Sequence, residues 1–250
     1  MGYIVIDRKE YMRSTYSKYW KNARKNVYGF MEYDKAFITL IESFSNKLGK
    51  ILEVAIGTGE PIPNNLQKIG YSVYGIDISD RLIDECKKNN ENIRCEVGDA
   101  EQLKIANAEF DLIYCVHSSW FIPDLNKAVT EMVRVSKRGG VVLFDILNMH
   151  NREIEKIYRF HIFENGTAIG MLYKTIKNSV KFILQKGTQD WPFVISQTPS
   201  DPIAIYDMLQ NRLNVEQINI YAWHEESMID LGSVNKQYEE YSRLIFVVKK

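Results

Sequence analysis

The chain has 250 residues and a mass of 29.2 kDa, with 45% apolar and 26% charged residues. This length and composition are typical of a globular protein with a sizeable core, and they exclude a disordered or fibrous chain. Because 32 basic residues balance 32 acidic ones, the molecule has no net charge that would attract nucleic acid or an anionic membrane.

The spacing of the cysteines and the length of the apolar runs indicate in which cellular compartment the protein is found. Cys86, Cys95 and Cys115 are an odd number without CxxC spacing, which argues against a disulfide framework and a structural zinc site. The charged residues from Asp7 to Glu10 do not fit a signal peptide, and no window reaches the roughly eighteen apolar residues of a membrane span. We therefore expect a cytoplasmic protein with no metal site and no membrane partner.

Two helical patterns precede the first strand. Apolar residues from Met12 to Val27 recur at spacings of three and four, which predicts a helix with one apolar face. A second helix is predicted from Asp34, as N-cap, to Gly49, as C-cap. We interpret residues 1–49 as a helical cap.

From residue 50 onwards, short apolar runs alternate with helical patterns, which is typical of a doubly wound α/β fold with a mostly parallel sheet. Ser79 and Asp124 are predicted N-caps of two crossover helices, and Gly139 and Gly140 end the second. We expect the last two strands to pair antiparallel at the edge of the sheet. The seven predicted strands are Ile51–Ile56, Ser72–Ile76, Ile93–Val97, Phe110–Val116, Val141–Leu147, Val215–Trp223 and Tyr241–Lys249.

No repeat or linker marks a domain boundary, so a single domain is predicted, with residues 50–149 as its ligand-binding core. The alternation is interrupted over residues 150–202, which we interpret as a substrate-recognition insertion containing helices at Asn151–Phe160 and Ile169–Leu184. Residues 203–250 are expected to add a helix at Ile203–Leu213 and the closing strands.

The residues that carry chemistry follow the first three predicted strands. A turn containing Gly57 and Gly59 lets a ligand approach the backbone, although such a turn alone is weak evidence. Asp77 ends the second strand, where a carboxylate can accept both hydroxyls of a ribose. Asp99 follows the third strand, where an acid can accept the exocyclic amine of adenine. Either acid alone is more often a turn or capping residue, but together they indicate a nucleoside site.

In this region the chain resembles the class I S-adenosylmethionine-dependent methyltransferases. The resemblance covers about residues 50 to 148 and the last strands. It rests on five motifs in order: Leu52-Glu53-Val54-Ala55-Ile56-Gly57-Thr58-Gly59, Gly75-Ile76-Asp77-Ile78-Ser79, Gly98-Asp99-Ala100, Phe110-Asp111-Leu112-Ile113 and Arg134-Val135-Ser136-Lys137-Arg138-Gly139-Gly140.

The resemblance implies S-adenosylmethionine as cofactor and S-adenosylhomocysteine as product. It implies that Asp77 binds the ribose, that Ile78 packs on the adenine, and that Asp99 and Ala100 meet the adenine edge. Ala55 departs from the family, which often has a glycine at this position. The cofactor-binding residues implied in the core are Glu53, Ala55, Gly57, Gly59, Asp77, Ile78, Asp99, Ala100 and Cys115.

A dinucleotide-dependent dehydrogenase is the nearest alternative with a similar fold, since its fingerprint also links a first-strand turn to an acid after the second strand. The third glycine of that G-x-G-x-x-G fingerprint is replaced here by Ile62, between Pro61 and Pro63. This replacement argues against the dehydrogenase reading.

Methyl transfer requires mainly the alignment of a nucleophile, and a hydroxyl nucleophile also requires a base. His117 is the candidate catalytic base, because it leaves the fourth strand, whose end the resemblance places nearest the methyl group. The alternative is that His117 only bonds the local backbone or helps to enclose the cofactor.

The N-terminal helix leaves a nucleic-acid role open. Its basic residues and interleaved aromatics could hold single-stranded RNA. We favour a cap in which Tyr16 and Trp20 close over the cofactor, because the aromatics share the apolar face. The basic residues are Arg8, Lys9, Arg13, Lys18, Lys21, Arg24 and Lys25.

The sequence thus predicts a methyltransferase that acts on an oxygen or nitrogen atom of a small molecule. Two alternatives stay open. One is an RNA methyltransferase that uses the basic N-terminal helix, and the other is a non-catalytic module that only binds S-adenosylmethionine.

Overall fold

The computed structural model describes residues 7–16, 31–44, 49–166, 169–170, 172–173, 176–177, 180, 197–233 and 236–250. Within these residues eight strands form one sheet: β1 (Lys50–Val54), β2 (Ser72–Asp77), β3 (Arg94–Val97), β4 (Phe110–Cys115), β5 (Ser136–Leu147), β6 (Gln217–His224), β7 (Ser227–Gly232) and β8 (Arg243–Lys249). Their order is β3-β2-β1-β4-β5-β8-β6-β7. The first five strands are parallel, and β8, β6 and β7 each pair antiparallel with the preceding strand in that order.

The described helices connect these strands or cover the sheet. They are α1 (Arg8–Tyr11), α2 (Glu32–Phe44), α3 (Ile62–Lys68), α4 (Asp80–Asn89), α5 (Leu125–Val135), α6 (Arg152–Gly166) and α7 (Pro202–Asp207). The predicted caps of two crossover helices are confirmed: Ser79 Oγ accepts from the Leu82 amide at 3.3 Å, and Asp124 Oδ1 accepts from the Lys127 amide at 3.1 Å.

Helices cover both faces of the sheet, as the alternating pattern predicted. On one face α2, α3 and α4 contribute Phe37, Leu66 and Ile83 to a buried cluster. On the other face α5 and α7 contribute Met132 and Ile205 to a second cluster. The fold is therefore the doubly wound, Rossmann-like arrangement, in which ligands bind at the carboxyl ends of the parallel strands.

The sheet has one strand more than the seven predicted. The final two predicted strands do pair antiparallel, as β6 and β8, but β8 lies inside the sheet and the additional strand β7 forms the edge. The turn between β6 and β7 contains Glu225 and Glu226, with φ angles of 45° and 61°. Hairpin turns of this left-handed kind usually contain Asn or Gly. Because this turn contains two glutamates, the sequence carried no hairpin signal.

Two predicted helix ends were wrong. Helix α2 begins at Glu32, and Asp34 lies inside its first turn, where Oδ2 accepts from the Met31 amide at 3.0 Å. Helix α5 ends at Val135, and β5 starts at the next residue, so Gly139 and Gly140 lie within a strand. Gly139 has a φ of 74°. The glycines therefore accommodate a strand irregularity and do not end a helix.

Two of the three helices predicted after β5 are confirmed in position. Helix α6 extends beyond the predicted Asn151–Phe160, and α7 continues into a π-helical turn at Met208–Arg212. Of the predicted helix Ile169–Leu184, the described residues are helical, and residues 171, 174–175, 178–179 and 181–184 lie outside the described part of the chain. Within the part of the chain that the structure describes, no helix is long and apolar enough to cross a membrane.

Candidate functional site

A cavity opens at the carboxyl ends of β1, β2 and β3. The empty space within it, including its open mouth, is about 730 Å3. One wall consists of residues that follow these strands, and the opposite wall consists of the N-terminal segment and the loop after β4. Six predicted cofactor-binding residues line the cavity: Ala55, Gly57, Asp77, Ile78, Asp99 and Ala100.

The glycine turn after β1 is held by tight packing. Ala55, Gly57 and Gly59 all have left-handed φ angles, of 66°, 59° and 78°. A Cβ atom on Gly59 would lie 2.7 Å from Asn90 Nδ2 and 2.8 Å from Cys86 Sγ. Asn90 Nδ2 in turn donates to the Thr58 carbonyl at 3.0 Å. The turn therefore has no room for a side chain at position 59 and presents its backbone to the cavity.

Ala55 has a left-handed backbone conformation, which glycine adopts without strain. A non-glycine residue in the left-handed region costs about 1–2 kcal/mol. The fold accepts this strain, and the methyl group of Ala55 becomes part of the cavity wall.

Asp77 is a buried carboxylate at the end of β2. Its Oδ2 accepts from the Gly57 amide and its Oδ1 from the Ser79 amide, both at 2.9 Å. Burial raises the pKa of Asp77 to about 6, although these backbone hydrogen bonds partly offset the effect. A carboxylate offers about four acceptor positions. Asp77 thus keeps acceptor capacity for a ligand that brings hydroxyl groups.

Asp99 is in contact with the N-terminal segment. Lys9 Nζ lies 2.7 Å from Asp99 Oδ2 and 2.8 Å from Glu101 Oε2. Burial alone would lower the pKa of Lys9, but the hydrogen bonds with Asp99 and Glu101 outweigh it and raise the pKa. The Lys9 ammonium therefore links helix α1 to the residues after β3 through two ion pairs. We call the contact of Lys9 with Asp99 and Glu101 the clasp.

Arg8 connects helix α1 to a second part of the protein, the segment that contains Thr198. Its Nη1 donates to Thr198 Oγ1 at 2.7 Å, and the Thr198 amide donates to the Trp120 carbonyl at 2.9 Å. Asp7 caps the helix through the amides of Lys9 and Glu10. The N-terminal segment consequently bridges the cavity, the loop after β4 and residues 197–200.

The other predicted cofactor residues do not line the cavity. Glu53 is buried within β1 and accepts from the Tyr114 hydroxyl at 3.0 Å. Gly59 packs behind the turn, and Cys115 lies in the core, where burial raises the pKa of its thiol. A buried neutral thiol is unreactive.

The two aromatic residues predicted to close the cap cannot be placed. The side chain of Tyr16 and the whole of Trp20 lie outside the described residues.

A second group of polar residues meets at the ends of β4 and β5 and the start of β8. It consists of Tyr33, Asp34, His117, Asp145 and Arg243, and we call it the ionic cluster. Arg243 Nε donates to Asp145 Oδ2 at 3.0 Å, and the guanidinium lies 3.6 Å from the Tyr33 ring centroid. Burial raises the pKa of Tyr33, which keeps its hydroxyl protonated and able to donate to Asp145.

His117 bridges the two carboxylates of the ionic cluster. Its Nδ1 lies 2.9 Å from Arg243 Nη2, and its Nε2 lies 2.7 Å from Asp34 Oδ1. Arginine can only donate, so Nδ1 is the acceptor, and the proton on Nε2 is donated to Asp34. His117 also has a φ of 60°, and its amide donates to Asp145 Oδ2 at 3.2 Å. Both ring nitrogens are therefore engaged.

Sequence reasoning found only His117 in the ionic cluster. The signal it missed was Asp145, an acid inside the apolar run Val141–Leu147. Such a residue is buried with the strand and requires a buried cation or hydrogen-bond donors. Arg243, at the start of the last strand, meets that requirement.

The described part of the chain contains no candidate metal site. No group of three or more His, Cys, Asp or Glu side chains there is arranged to hold a metal ion.

Comparison with known proteins agrees with this geometry. A family model described as "Methyltransferase domain" matches residues 52–144, the segment that runs from β1 to β5. Phosphatidylethanolamine N-methyltransferase of Cereibacter sphaeroides is 25% identical over 169 residues, which cover 65% of this chain and 79% of that protein. Malonyl-[acyl-carrier protein] O-methyltransferase of Buchnera aphidicola is 32% identical over 123 residues, which cover 49% of each chain.

The fold also matches solved structures. A crystal structure from Thermotoga maritima, described as a SAM-dependent methyltransferase and possible histamine N-methyltransferase, superposes with a TM-score of 0.59. Its sequence identity is 16%, and the match covers 94% of this chain and 98% of that one. Residues 52–144 thus form a methyltransferase domain, and the cavity at the ends of β1 to β3 lies at the same strands, in agreement with the resemblance to the class I S-adenosylmethionine-dependent methyltransferases.

Proposed function

We propose that this methyltransferase transfers the methyl group to an oxygen or nitrogen atom of a small-molecule acceptor at the ends of β4 and β5. The observation that carries this proposal is the strand order. Groups suited to adenine follow β3, the carboxylate suited to ribose follows β2, and the glycine turn follows β1. The next strand ends along the sheet are those of β4 and β5, where the ionic cluster lies.

The cavity residues fit S-adenosylmethionine. Asp77 offers acceptors for the ribose hydroxyls, Ile78 offers an apolar surface for the adenine, and Asp99 offers an acceptor for its amine. The exposed backbone of the turn at Gly57 suits the amino-acid part. When bound, the cofactor supplies an electrophilic methyl group, so the protein has to bind, orient and exclude water.

A second cavity adjoins the first and supports an acceptor site. Its empty space, including its open mouth, is about 620 Å3, and Ile122 and Pro123 line both cavities. Its wall includes Ser119, Thr198 and Ser200, so the predicted recognition segment 150–202 contributes hydroxyl groups. The Ser119 hydroxyl also donates to the Asp145 carbonyl, which connects this cavity to the ionic cluster.

The loop after β4 also contains an unsatisfied donor. The indole Nε1 of Trp120 is buried and has no hydrogen-bond partner among the described residues. Buried polar groups without partners are rare and call for an explanation. Trp120 does not line either of the two cavities, so this donor does not define the acceptor site.

We retain His117 as the base for a hydroxyl acceptor, with Nδ1 as its basic atom. Asp34 accepts the Nε2 proton, and a carboxylate in this position orients the imidazole and stabilises its protonated form. In the described arrangement, Arg243 donates to Nδ1. The acceptor hydroxyl must therefore take the place of Arg243 before His117 can receive its proton.

The contacts of the N-terminal segment favour a cap over an RNA-binding arm. The three described basic residues of this segment all bond to the protein: Arg8 to Thr198, Lys9 to Asp99 and Glu101, and Arg13 to Glu10. Basic residues that hold RNA would face solvent. The other four basic residues lie outside the described part of the chain.

Two of the relatives have acceptor chemistry of this kind. The printed names of two relatives specify an N-methyltransferase for a phospholipid amine and an O-methyltransferase for a malonyl group on a carrier protein. Both reactions methylate a nitrogen or oxygen atom of a small group.

The experiment is a turnover assay with S-adenosylmethionine against panels of amines, phenols, carboxylic acids and RNA. Binding of S-adenosylhomocysteine is measured by calorimetry on the same protein. We expect turnover on at least one small-molecule panel, and a loss of 10²- to 10⁴-fold in His117→Ala for a hydroxyl acceptor. Asp34→Asn should shift the pH profile of turnover. Turnover on RNA alone, or tight cofactor binding with no turnover on any panel, would overturn the proposal.

A further inference from the structure

Arg8 and Lys9 are neighbours on helix α1, but they contact different cavities. Lys9 lines the cofactor cavity and forms the clasp with Asp99 and Glu101. Arg8 Nη1 donates to the hydroxyl of Thr198 at 2.7 Å, and Thr198 lines the second cavity. Successive residues of a helix point about 100° apart, so one short helix can reach two walls at once. Helix α1 therefore connects the cofactor cavity to the second cavity.

Arg8 also holds the loop after β4 against Thr198. Its Nη2 donates to the Trp120 carbonyl at 3.4 Å, and the same carbonyl accepts from the Thr198 amide at 2.9 Å. The guanidinium thus binds both partners of a backbone hydrogen bond between two segments. A hydrogen bond from a charged donor is roughly twice as strong as a neutral one. Because Ile122 and Pro123 of this loop line both cavities, the position of the loop affects both of them.

We propose that Arg8 is a positioning residue that couples occupation of the cofactor cavity to the shape of the second cavity. The inference rests on the proposed function, in which the second cavity holds the methyl acceptor. Lys9 and Met12 line the cofactor cavity, so occupation of that cavity stabilises α1 in its docked position. A ligand shifts a conformational equilibrium only through contacts that differ between the two states, and these side chains supply them. Docked α1 keeps Arg8 on Thr198, so the acceptor wall is formed when the cofactor is bound.

This coupling can be distinguished from a purely structural role of Arg8. If Arg8 only supported the fold, its loss would loosen the Thr198 segment to the same extent with and without cofactor. If Arg8 couples the two cavities, its loss removes the effect of the cofactor on that segment. The coupling is reciprocal, so the acceptor would raise the affinity for cofactor by the same factor.

The experiment measures hydrogen exchange of the Thr198 amide and needs no methyl acceptor. Exchange is followed by NMR on the full chain, with and without saturating S-adenosylhomocysteine. In wild type we expect the ligand to slow exchange at Thr198 about fivefold or more, the lower end of typical coupling between two sites. The internal control is the Ala108 amide, which donates to the Arg134 carbonyl at 3.2 Å at the opposite end of the sheet. Its exchange should slow much less, which separates the coupling from general stabilisation by the ligand.

Variants at both ends of the contact sharpen this experiment. Arg8→Ala should abolish the ligand-dependent slowing at position 198. Thr198→Val should weaken it, because this change removes one of the two acceptors of Arg8, and it should have no further effect when combined with Arg8→Ala. Arg8→Lys keeps the charge and should retain part of the slowing.

Arg13→Ala is the matched control. Arg13 belongs to the same N-terminal segment but forms its ion pair with Glu10. The ligand should therefore slow exchange at Thr198 in this variant as much as in wild type. All variants should keep the wild-type circular dichroism spectrum.

The inference fails if the ligand slows exchange at Thr198 and Ala108 equally in wild type, because α1 would then transmit nothing to the second cavity. It also fails if Arg8→Ala keeps the ligand-dependent slowing, or if Arg13→Ala loses it as fully as Arg8→Ala. Such a failure would not affect the proposed function, since turnover is measured separately on the acceptor panels. Absence of turnover together with slowing that depends on Arg8 would refute the proposed function and leave the link between the two cavities standing.

Discussion

The cofactor cavity and the ionic cluster lie side by side at one edge of the sheet but are assembled from the chain in different ways. The core residues of the cavity fall between Ala55 and Glu101, each at the end of one of three strands or within five residues after it. The ionic cluster joins pairs that are 83, 98 and 126 positions apart in the sequence. A local motif can reveal the first kind of site, whereas the second is visible only once the strands are in register.

The buried carboxylates of the two regions also have different partners. In the cavity Asp77 is satisfied by backbone amides and remains available to a ligand. In the ionic cluster Asp145 is fully buried and depends on a side-chain cation. We therefore expect cavity substitutions to affect mainly ligand affinity, and loss of the Arg243 cation in the ionic cluster to affect mainly folding.

The largest expected effect is that of Arg243→Ala. This change leaves the buried Asp145 carboxylate without its cation, and breaking a buried ion pair costs about 3–5 kcal/mol. The free energy of unfolding, measured by urea denaturation, should fall by that amount.

Lys137→Ala is the control for the Arg243 experiment. Lys137 also forms an ion pair, with Asp111, but both side chains are about two-fifths exposed. Its loss should change the free energy of unfolding by less than about 1 kcal/mol. Equal effects of the two substitutions would mean that the ionic cluster does not support the fold.

The sequence predicted the strands and the cavity better than it predicted the ionic cluster. Strands with continuous apolar runs, such as β1 and β4, and the residues just after them were found because burial and turn chemistry are local. Strand β7 was missed because its hairpin turn lacks the usual residues, and because only one of its six residues, Leu231, is buried. The partners of His117 were missed because no local pattern relates Asp34 or Arg243 to the end of β4.

The next largest effect is expected for Asp77→Asn in the cavity. The change removes a charged acceptor for two hydroxyls in a buried site, which costs about 1–3 kcal/mol in affinity for S-adenosylhomocysteine. Calorimetry at neutral pH should thus show a dissociation constant roughly 10- to 100-fold higher. Asp111→Asn changes an acid near the opposite end of the sheet and should leave the affinity unchanged. Wild-type affinity in folded Asp77→Asn would refute the ribose assignment.

The pKa of Asp77 also predicts how affinity depends on pH. Burial raises it from 3.8 to about 6, and the ionised form is the one that accepts hydroxyls with both oxygens. As the pH falls through about 6, a growing fraction of Asp77 is protonated, and affinity for S-adenosylhomocysteine should fall, approaching tenfold per pH unit. Asp77→Asn should lack this dependence.

The raised pKa of Asp77 affects the stability of the fold in the opposite direction. Ligand affinity rises with pH, whereas the contribution of Asp77 to stability falls. Because the folded protein holds this proton more tightly than the unfolded chain, the contribution of Asp77 to stability is full below about pH 3.8 and is lost as pH rises through about 6. The difference in unfolding free energy between wild type and Asp77→Asn should follow that course. A difference that does not vary with pH would mean that folding does not shift the pKa of Asp77.

The smallest effect is expected where the N-terminal segment meets the cavity. Lys9→Ala removes the clasp to Asp99 and Glu101. Because these side chains are partly exposed, the free energy of unfolding should change by less than about 1 kcal/mol. We expect faster dissociation of S-adenosylhomocysteine, by a few-fold in stopped-flow measurements, since the first helix is then held mainly by Arg8. High salt should bring wild type towards the variant, because it screens partly exposed ion pairs.

Arg13→Ala is the matched control for the clasp. Arg13 forms its ion pair with Glu10 within the same segment, and both side chains are at least half exposed. It should therefore leave the dissociation rate unchanged. Slower dissociation in Lys9→Ala would reverse the assignment, because it would mean that Lys9 competes with the adenine amine for Asp99. Unchanged dissociation in Lys9→Ala and in a deletion of residues 1–30 would show that the N-terminal segment does not retain the cofactor, and an RNA role for its basic residues would gain support.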